Sequence, residues 1–298
     1  MDLSGIFPAL TTPFKEDGEV ALDRFKANLA RYNQTGVAGY VVLGSTGESV
    51  MLSGAEGEAL LAAAKEVEVP GKLLIAGTGA ESTAATIEKT KRAAALAYKV
   101  ALVKTPYYYK PAYKPETYIR HYRAVADASP IPILLYSVPV FTGVSLETPE
   151  IVALASHPNI AGMKDSSGVI QRIVEVVGQA PKTFQMLTGA AGVLHPAFTS
   201  GARGAILALA SPLPEKCVEL FQLWKVGRHD EAQVLQQKLA AATKTVVSEA
   251  SIPGVKYAMD LRGFYGGLPR LPILPLGEEQ KRKIGQVLEE FEPVAASA

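Results

Sequence analysis

The chain has 298 residues, a formal net charge of +1 and 48% hydrophobic residues. This length and composition are typical of one large globular domain, or two ordinary ones, with a sizeable core. The balanced charge gives no electrostatic basis for binding nucleic acid or an anionic membrane surface. No apolar run approaches the roughly 18 residues of a transmembrane helix, and the N-terminus lacks the features of a signal peptide. We therefore expect a cytoplasmic protein.

The single cysteine, Cys217, excludes a disulfide framework and a thiolate metal site within one chain. It falls in a helical pattern with Phe221 and Trp224, so we expect a small packed residue. None of the four histidines forms an HExxH pair or another spaced set of metal ligands. They are His121, His157, His195 and His229. The sequence therefore predicts no metal site.

Short apolar runs alternate with longer helical patterns along most of the chain. The predicted strands are residues 5–12, 39–43, 72–76, 100–104, 131–135, a sixth run that ends near Lys164, 184–187 and 205–209. The helices predicted between them are residues 20–33, 53–67, 82–97, a helix from Pro115, one capped by Thr148 with Pro149 in its first turn, 169–177 and 193–199. A capping box, Ser53-Gly-Ala-Glu56, marks the start of the second helix.

Eight strands, each followed by a helix, predict a TIM (β/α)8 barrel. The runs are continuously apolar, as expected of parallel strands buried on both faces. A doubly wound open sheet is the main alternative, but the count of eight and the lack of a GxGxxG fingerprint weaken it. The helical patterns at residues 214–224, 230–248, 255–261 and 278–291 predict a C-terminal helical extension. We expect a catalytic barrel domain at 1–212 and a helical subdomain at 213–298.

The sixth apolar run carries a lysine, Lys164, followed at once by Asp165 and two serines. A charged residue in such a segment is costly unless it is paired or has a lowered pKa. A lysine that is a free amine near neutral pH attacks carbonyls to form a Schiff base. The alternative is a structural lysine paired with Asp165 or with another carboxylate.

Polar residues stand where several predicted strands end, which is where TIM-barrel active sites lie. Ser45 and Thr46 lie between two glycines after the second strand, residues 107–109 are three tyrosines after the fourth, and Tyr136 ends the fifth. Small hydroxyls on a glycine-flanked turn can present oxygen and N–H donors to a carboxylate. An ordinary turn and a packing role for the tyrosines are the alternatives. The P-loop ending and the Gly-x-Ser-x-Gly elbow are both absent.

Five motifs of the chain stand in a distinctive order and spacing. They are Gly5-Ile-Phe-Pro-Ala-Leu-Thr-Thr-Pro13, Gly44-Ser-Thr-Gly-Glu48, Thr105-Pro-Tyr-Tyr108, Leu135-Tyr-Ser-Val-Pro139 and Gly162-Met-Lys-Asp-Ser166. With them the chain resembles, over essentially its whole length, the dihydrodipicolinate synthase/N-acetylneuraminate lyase family of class I pyruvate-dependent aldolases. The resemblance implies a lyase that acts on pyruvate through a Schiff base and needs no cofactor and no metal.

The resemblance also implies roles for individual residues. Lys164 is similar to the family's Schiff-base lysine, and Tyr136 to the tyrosine that shuttles protons to the carbinolamine. Ser45 and Thr46 match the pair that relays protons and holds the pyruvate carboxylate. Tyr108 matches a tyrosine that reaches into the neighbouring subunit's site, which implies a homotetramer built as a dimer of dimers.

Further positions of the chain bear on the substrate. Ile206 matches a residue whose backbone borders the pyruvate. Phe141 stands where the synthase branch carries an arginine for the aldehyde's carboxylate, which counts against lysine biosynthesis. Gly189 is followed by Ala-Ala-Gly rather than by the acidic residues of the sialic-acid lyases. The likeness is greatest to 4-hydroxy-2-oxoglutarate aldolases, in which the serine corresponding to Ser166 lines the pocket.

We therefore expect reversible cleavage of 4-hydroxy-2-oxoglutarate to pyruvate and glyoxylate. The first alternative is a 4-hydroxy-tetrahydrodipicolinate (dihydrodipicolinate) synthase that condenses pyruvate with aspartate semialdehyde, and the next is a relative acting on sugar-acid keto compounds. A non-catalytic barrel that binds a keto acid is an alternative of a different class, against which the intact set of motif residues counts. Lys104 stands where the family has an apolar residue. It either holds a second carboxylate or, as the sequence favours, points outward into an ion pair.

Overall fold

The structure is a computed structural model that describes residues 1–291. Its centre is eight parallel strands: β1 (Gly5–Pro8), β2 (Gly39–Val42), β3 (Leu73–Gly77), β4 (Val100–Lys104), β5 (Ile133–Ser137), β6 (Ile160–Asp165), β7 (Gln185–Thr188) and β8 (Gly204–Leu207). From β2 to β8 each strand pairs with the next in chain order, and β8 pairs with β1. Between β1 and β2, Ala9 bridges to Val41, and the Leu10 N–H donates to the Val41 carbonyl at 3.0 Å. This contact closes the sheet, so the predicted (β/α)8 barrel is confirmed.

Both faces of the barrel strands are buried, which explains why the strands are apolar runs without alternation. The interior face forms a small core of its own, which includes Phe7, Val41, Leu102, Leu134, Leu187 and Ile206. The alternate residues of the same strands face the surrounding helices and join a larger core. A side chain's position in this alternation therefore decides whether it can reach the inside of the barrel.

The helices surround this barrel. They are α1 (Leu22–Asn33), α2 (Gly54–Glu66), α3 (Thr83–Ala95), α4 (Pro115–Ala128), α5 (Pro139–Thr142), α6 (Thr148–Ala155), α7 (Ile170–Gln179), α8 (Leu194–Thr199), α9 (Pro214–Lys225), α10 (His229–Ala242), α11 (Ser251–Leu261) and α12 (Glu278–Leu288). A π-helical segment, Thr243–Glu249, joins α10 to α11. The described chain contains no helix that is both long enough and apolar enough to cross a membrane.

Of the helix ends predicted from local sequence signals, one was confirmed and two were displaced. The capping box is confirmed, because Ser53 Oγ accepts from the Glu56 N–H at 3.2 Å and Glu56 Oε2 accepts from the Ser53 N–H at 2.8 Å. The cap at Thr148 was wrong by one residue, since Thr148 is already helical and its hydroxyl donates to Glu175 at 2.8 Å. The helix predicted to start at residue 255 begins earlier, because Pro253 fits in a first turn, where no N–H is needed.

The two largest errors in length were a predicted strand and a predicted helix that ended too late. The strand predicted at 5–12 ends at Pro8, and the chain then turns toward β2, where the Thr12 hydroxyl donates to the Gly47 carbonyl at 2.6 Å. The helix predicted at 230–248 leaves the α-helical pattern after Ala242, where the Thr243 hydroxyl donates to the Leu239 carbonyl at 2.6 Å. Side-chain competition for backbone groups is typical of threonine at such breaks.

The C-terminal helices pack closely on the barrel. α9 lies against β1 and α8, and Cys217 of α9 is fully buried, so its prediction as a packed residue is confirmed. Burial raises the pKa of the Cys217 thiol far above its usual range. After α11, Phe264 stacks on Tyr32 of α1 with ring centres 4.6 Å apart.

A buried ion pair joins α11 to the loop that follows β2. Lys256 of α11 and Glu48 have fully buried side chains, and Lys256 Nζ lies 2.6 Å from Glu48 Oε1. Lys256 also donates to the Leu268 carbonyl at 2.8 Å, while the Arg270 N–H donates to Glu48 Oε2 at 2.8 Å. Taking two ions out of water costs several kcal/mol each, which only close pairing and further hydrogen bonds offset.

A second cation completes this junction. The Arg270 guanidinium contacts Glu56 of α2 through two hydrogen bonds of 2.6 and 2.9 Å, which hold the pKa of Glu56 at about 2. Arg270 and Lys256 both lie over the Phe14 ring, at 4.3 and 4.5 Å from its centre. The loop after β2 is thus held between α2 and the C-terminal part of the chain.

Removing one member of the buried pair should strongly destabilise the fold. We expect Lys256→Met to lower the free energy of unfolding by about 3–5 kcal/mol, because Glu48 would keep a buried charge without its cation. Urea denaturation followed by circular dichroism measures this loss. Lys15→Met is the matched control, since Lys15 and Glu19 form an exposed pair (52% and 69% exposed) worth at most about 1 kcal/mol. Equal small losses in both variants would contradict the structural importance of the pair.

Candidate active site

Lys164 is the penultimate residue of β6, and its side chain lies inside the barrel. Met163 before it faces the helices, so alternation turns Lys164 inward, directly beside Tyr136 of β5 in the strand register. Both side chains are 4% exposed. Lys164 Nζ lies 4.2 Å from the centre of the Tyr136 ring. The barrel therefore holds a buried amine against the face of a buried tyrosine.

The carboxylate next in sequence to Lys164, Asp165, is engaged elsewhere. Asp165 Oδ2 accepts from the Ser167 hydroxyl at 2.7 Å, and Asp165 Oδ1 lies 3.6 Å from an Arg172 nitrogen. Across residues 1–291 the Lys164 amine forms no ion pair and no hydrogen bond with a protein group. Pairing with Asp165 or another carboxylate, the structural alternative drawn from the sequence, is therefore not found. The amine is free for another reactant.

A hydroxyl pair lies next to this amine. Ser45 begins a short 3-10 turn, Ser45–Gly47, after β2, and its Oγ lies 3.3 Å from the Tyr136 hydroxyl oxygen. Thr46 is buried in the same turn. The turn is fixed on one side by Thr12, which donates to the Gly47 carbonyl, and on the other by Glu48 with its buried cation. The structure thus brings together the residues from β2, β5 and β6 that the sequence selected.

Ser166 and Ile206 also lie at this end of the barrel. A Cβ placed on Gly189 would lie 2.0 Å from Ser166 Oγ and 3.0 Å from Lys164 Cε, so Ser166 and Lys164 share one small space beside β7. The Ser166 N–H donates to the Ser137 carbonyl at 3.0 Å, which fixes its position. Ile206 of β8 is fully buried in the interior core. The packing role of Gly189 was not predicted from the sequence, because it depends on how closely β6 and β7 approach each other.

A cavity of about 950 Å³ opens beside this cluster. Ser45 and Tyr136 line its inner end, and Glu58 and Arg92 line its outer end between α2 and α3. Lys164 does not line the cavity itself. Its amine faces the ring of Tyr136, which does. A volume of this size is typical of a small-molecule site.

Tyr108 does not join the cluster of its own chain. Its side chain is 71% exposed and packs edge to face with the Tyr109 ring, at 5.0 Å between ring centres. The backbone N–H groups of Tyr107 and Tyr108 each donate to Glu81 Oε2 at 2.9 Å, which orders the tyrosine run. The role of Glu81 was not predicted from the sequence. It depends on the conformation of the tyrosine loop, which has no recognisable sequence pattern.

Lys104 lies inside the barrel, so the prediction that it points outward was wrong. Val100 and Leu102 belong to the interior core, and the same alternation turns Lys104 inward beside Tyr136. The expected ion pair is present, since Lys104 Nζ lies 3.5 Å from Glu81 Oε1. Burial lowers the pKa of the Lys104 amine, and the nearby Glu81 carboxylate opposes that shift.

Phe141 lies in α5, away from the cavity lining, and is 52% exposed. The preceding Val140 is 79% exposed. Within the described residues, no group of three or more His, Cys, Asp or Glu side chains could hold a metal ion.

Adding a methyl group at Gly189 should disrupt the Lys164 pocket. We expect Gly189→Ala to lower the free energy of unfolding by about 1–3 kcal/mol, because the new Cβ would force Ser166 and Lys164 out of their rotamers. The control is Gly178→Ala in α7, where a Cβ meets nothing within 4 Å and should be neutral or stabilising by up to about 1 kcal/mol. Urea denaturation of both variants measures the difference, and a neutral Gly189→Ala would show that the contact is not tight.

Comparisons with known proteins identify the family of this chain. Residues 2–291 match the model of the dihydrodipicolinate synthetase family. A protein from an Exiguobacterium species named 4-hydroxy-tetrahydrodipicolinate synthase is 37% identical over 291 residues, covering 98% of this chain and 99% of the relative. A protein of the same name from Xanthomonas axonopodis pv. citri is 39% identical over 278 residues, covering 93% and 90%.

Solved structures show the same fold. A dihydrodipicolinate synthase from Bacillus anthracis superposes with a TM-score of 0.93 at 29% identity, covering 98% of this chain and 99% of the other. The dihydrodipicolinate synthase from Acinetobacter baumannii complexed with pyruvate gives a TM-score of 0.90 at 30% identity, covering 96% and 98%.

The family match spans nearly the whole chain, and the relatives are matched from end to end. The family predicted from the five sequence motifs is thereby confirmed. The chain belongs to the dihydrodipicolinate synthetase family, and it is a carbon–carbon lyase of the aldolase type.

Proposed function

We propose that this enzyme forms an imine between pyruvate and Lys164 and uses it to make or break a carbon–carbon bond. The observation that carries the proposal is the Lys164 amine, which is buried beside Tyr136 and has no carboxylate partner within the described residues. A buried amine without a counter-charge is costly in a purely structural role. The same amine is well placed as a nucleophile toward a carbonyl.

The proposed chemistry follows from an imine acting as an electron sink. The Lys164 amine attacks C2 of pyruvate, the carbinolamine loses water, and the protonated imine then lets C3 release a proton to give an enamine. The enamine carbon attacks the aldehyde, and hydrolysis of the resulting imine frees the product. Cleavage is the same path reversed. The imine itself accepts the electron pair, so these steps need no cofactor and no metal.

The hydroxyl pair supplies the proton transfers in this proposal. Tyr136 gives a proton to the leaving hydroxyl of the carbinolamine, and Ser45, 3.3 Å away, relays protons to and from it. Thr46, in the same turn, holds the pyruvate carboxylate, while Ser166 and the Ile206 backbone border the bound keto acid. All of these residues belong to the barrel, which we propose as the catalytic domain at 1–212. We propose residues 213–298 as the helical subdomain, of which 292–298 lie outside the described residues.

The comparisons favour aspartate semialdehyde as the aldehyde partner. The relatives at 37% and 39% identity both carry the name 4-hydroxy-tetrahydrodipicolinate synthase. We therefore propose condensation of pyruvate with aspartate semialdehyde, the alternative drawn from the sequence, ahead of 4-hydroxy-2-oxoglutarate cleavage, which the sequence favoured. The latter stays as the second candidate because Phe141 is neutral and half-exposed where the synthase pattern has an arginine.

We also propose that the enzyme acts as a homotetramer. Tyr108 and Tyr109 are exposed aromatic side chains on a loop ordered by Glu81, and so large an exposed aromatic pair is typical of an interface. In a tetramer built as a dimer of dimers, Tyr108 would reach the site of a second copy rather than its own. Sedimentation velocity tests this arrangement, and a monomer with full activity would contradict it.

A direct comparison of the two reactions ranks the candidate substrates. We expect kcat/KM for condensation of pyruvate with aspartate semialdehyde to exceed that for cleavage of 4-hydroxy-2-oxoglutarate by at least about tenfold, since a dedicated site separates competing substrates by factors of this order or more. Coupled spectrophotometric assays of both reactions on one preparation give the ratio. A ratio in favour of cleavage would establish the second candidate, and no turnover of either would leave a barrel that only binds keto acids.

Removing the Tyr136 hydroxyl should lower kcat with little effect on folding. We expect Tyr136→Phe to reduce kcat by about 100–10,000-fold, the usual contribution of a positioned acid or base, because the ring that packs on Lys164 would remain. Tyr257→Phe serves as the control, since this tyrosine of α11 lies outside the cavity lining. The proposal fails if Tyr136→Phe and Tyr257→Phe have the same kcat.

A further inference from the structure

We propose that Lys104 binds the carboxylate of the aldehyde partner and so makes the enzyme selective for aldehyde acids. This inference rests on the proposed function, because it assigns the second substrate of the same site. Phe141 is uncharged, so it cannot bind the aldehyde's carboxylate. Lys104, at the carboxyl end of β4, would supply the positive charge instead.

Three side chains form one row across neighbouring strands. Lys104 of β4 is the register partner of Tyr136 of β5, and Tyr136 is the register partner of Lys164 of β6. All three face the barrel interior at the carboxyl ends of their strands. Neighbouring strands lie about 4.8 Å apart, so the backbones of Lys104 and Lys164 are separated by about 10 Å. A keto acid fixed on Lys164 would extend its far end past Tyr136 toward Lys104.

Lys104 lines the same cavity as Ser45 and Tyr136 and is only 14% exposed. An ammonium group has three donors. Among the residues that the structure describes, its amine has one ion pair, the 3.5 Å contact with Glu81, and lies 4.9 Å from the centre of the Tyr107 ring. Its donors are thus incompletely used in a partly desolvated site, where a carboxylate ligand is bound more strongly than in water.

Glu81 does not neutralise Lys104 completely. Its Oε2 accepts two backbone hydrogen bonds of 2.9 Å, from Tyr107 and Tyr108, so much of its charge is committed to the tyrosine loop. The long contact to Lys104 then positions the amine at the cavity wall. A substrate carboxylate would supply the closer, charge-assisted hydrogen bonds that Glu81 leaves unformed.

The other cations around the cavity are less suited to this role. Lys89, Lys91 and Arg92 line its outer end on α3 and are exposed to solvent, and Arg92 already forms two hydrogen bonds of 3.0 Å with Glu58. Exposed lysines hold an anion weakly, because water screens the charge. Lys104 is the cation of this lining that neighbours Tyr136 directly. It is therefore the residue that we assign to the aldehyde's carboxylate.

The test compares a charged aldehyde with a neutral one in the same variant. At saturating pyruvate we expect Lys104→Met to lower kcat/KM for aspartate semialdehyde or glyoxylate by roughly 10–100-fold, mainly through KM, as for a lost hydrogen bond to a charged group. For acetaldehyde, which has no carboxylate, the change should stay within about threefold. Lys104→Arg, which keeps the charge, should restore most of the selectivity.

Lys99→Met is the matched control, because Lys99 is an exposed lysine just before the opposite end of β4 and should leave all rates unchanged. Equal losses for charged and neutral aldehydes in Lys104→Met would show a structural role and overturn the inference, as would no loss for either. Borohydride trapping of pyruvate on Lys164 in the same variant separates the two proposals. Trapping without charge selectivity refutes only the role of Lys104, whereas absent trapping in the wild-type enzyme refutes the imine.

Discussion

The buried ion pair between Glu48 and Lys256 is the interaction on which the candidate site most depends. Glu48 adopts a positive φ of 55°, which is costly for a residue with a side chain, and its carboxylate is held by Lys256 and the Arg270 N–H. The residue before it, Gly47, is held by the Thr12 hydroxyl. These anchors fix the turn that presents Ser45 to Tyr136. The C-terminal helices thereby determine the geometry of a site built at the barrel ends.

Lys256 and Lys164 are both buried, but they differ in their partners. Lys256 is fully buried, meets Glu48 at 2.6 Å and donates to a backbone carbonyl, so its charge is compensated. Lys164 is nearly as buried, but within residues 1–291 its amine forms no ion pair or hydrogen bond and lies over the face of the Tyr136 ring. Compensated charge is what a structural lysine requires, and an uncompensated amine beside a hydroxyl relay is what imine chemistry requires. Lys104 lies between these cases, with one long ion pair and an open cavity in front of it.

The barrel and the grouping of the candidate site residues were predictable because buried parallel strands leave a recognisable sequence pattern. Strands buried on both faces must be apolar runs. Parallel strands in a barrel bring their carboxyl ends together, so Ser45, Tyr136 and Lys164 could be grouped from the sequence. The inward direction of Lys104 was not predicted, because it depends on a single-residue alternation along β4. The contacts of Gly189 depend on the distance between strands, and the carboxylate of Glu81 caps a loop whose conformation has no sequence pattern.

Borohydride reduction in the presence of pyruvate, followed by peptide mass spectrometry, tests the central claim most directly. The account predicts one reduced pyruvyl adduct, on the peptide that contains Lys164, and no adduct in a Lys164→Met variant that still folds. Reduction would capture the imine whichever aldehyde the enzyme uses, so the result does not depend on the second substrate. An adduct on Lys104, or none at all in the folded wild-type enzyme, would contradict the assignment of Lys164 as the nucleophile.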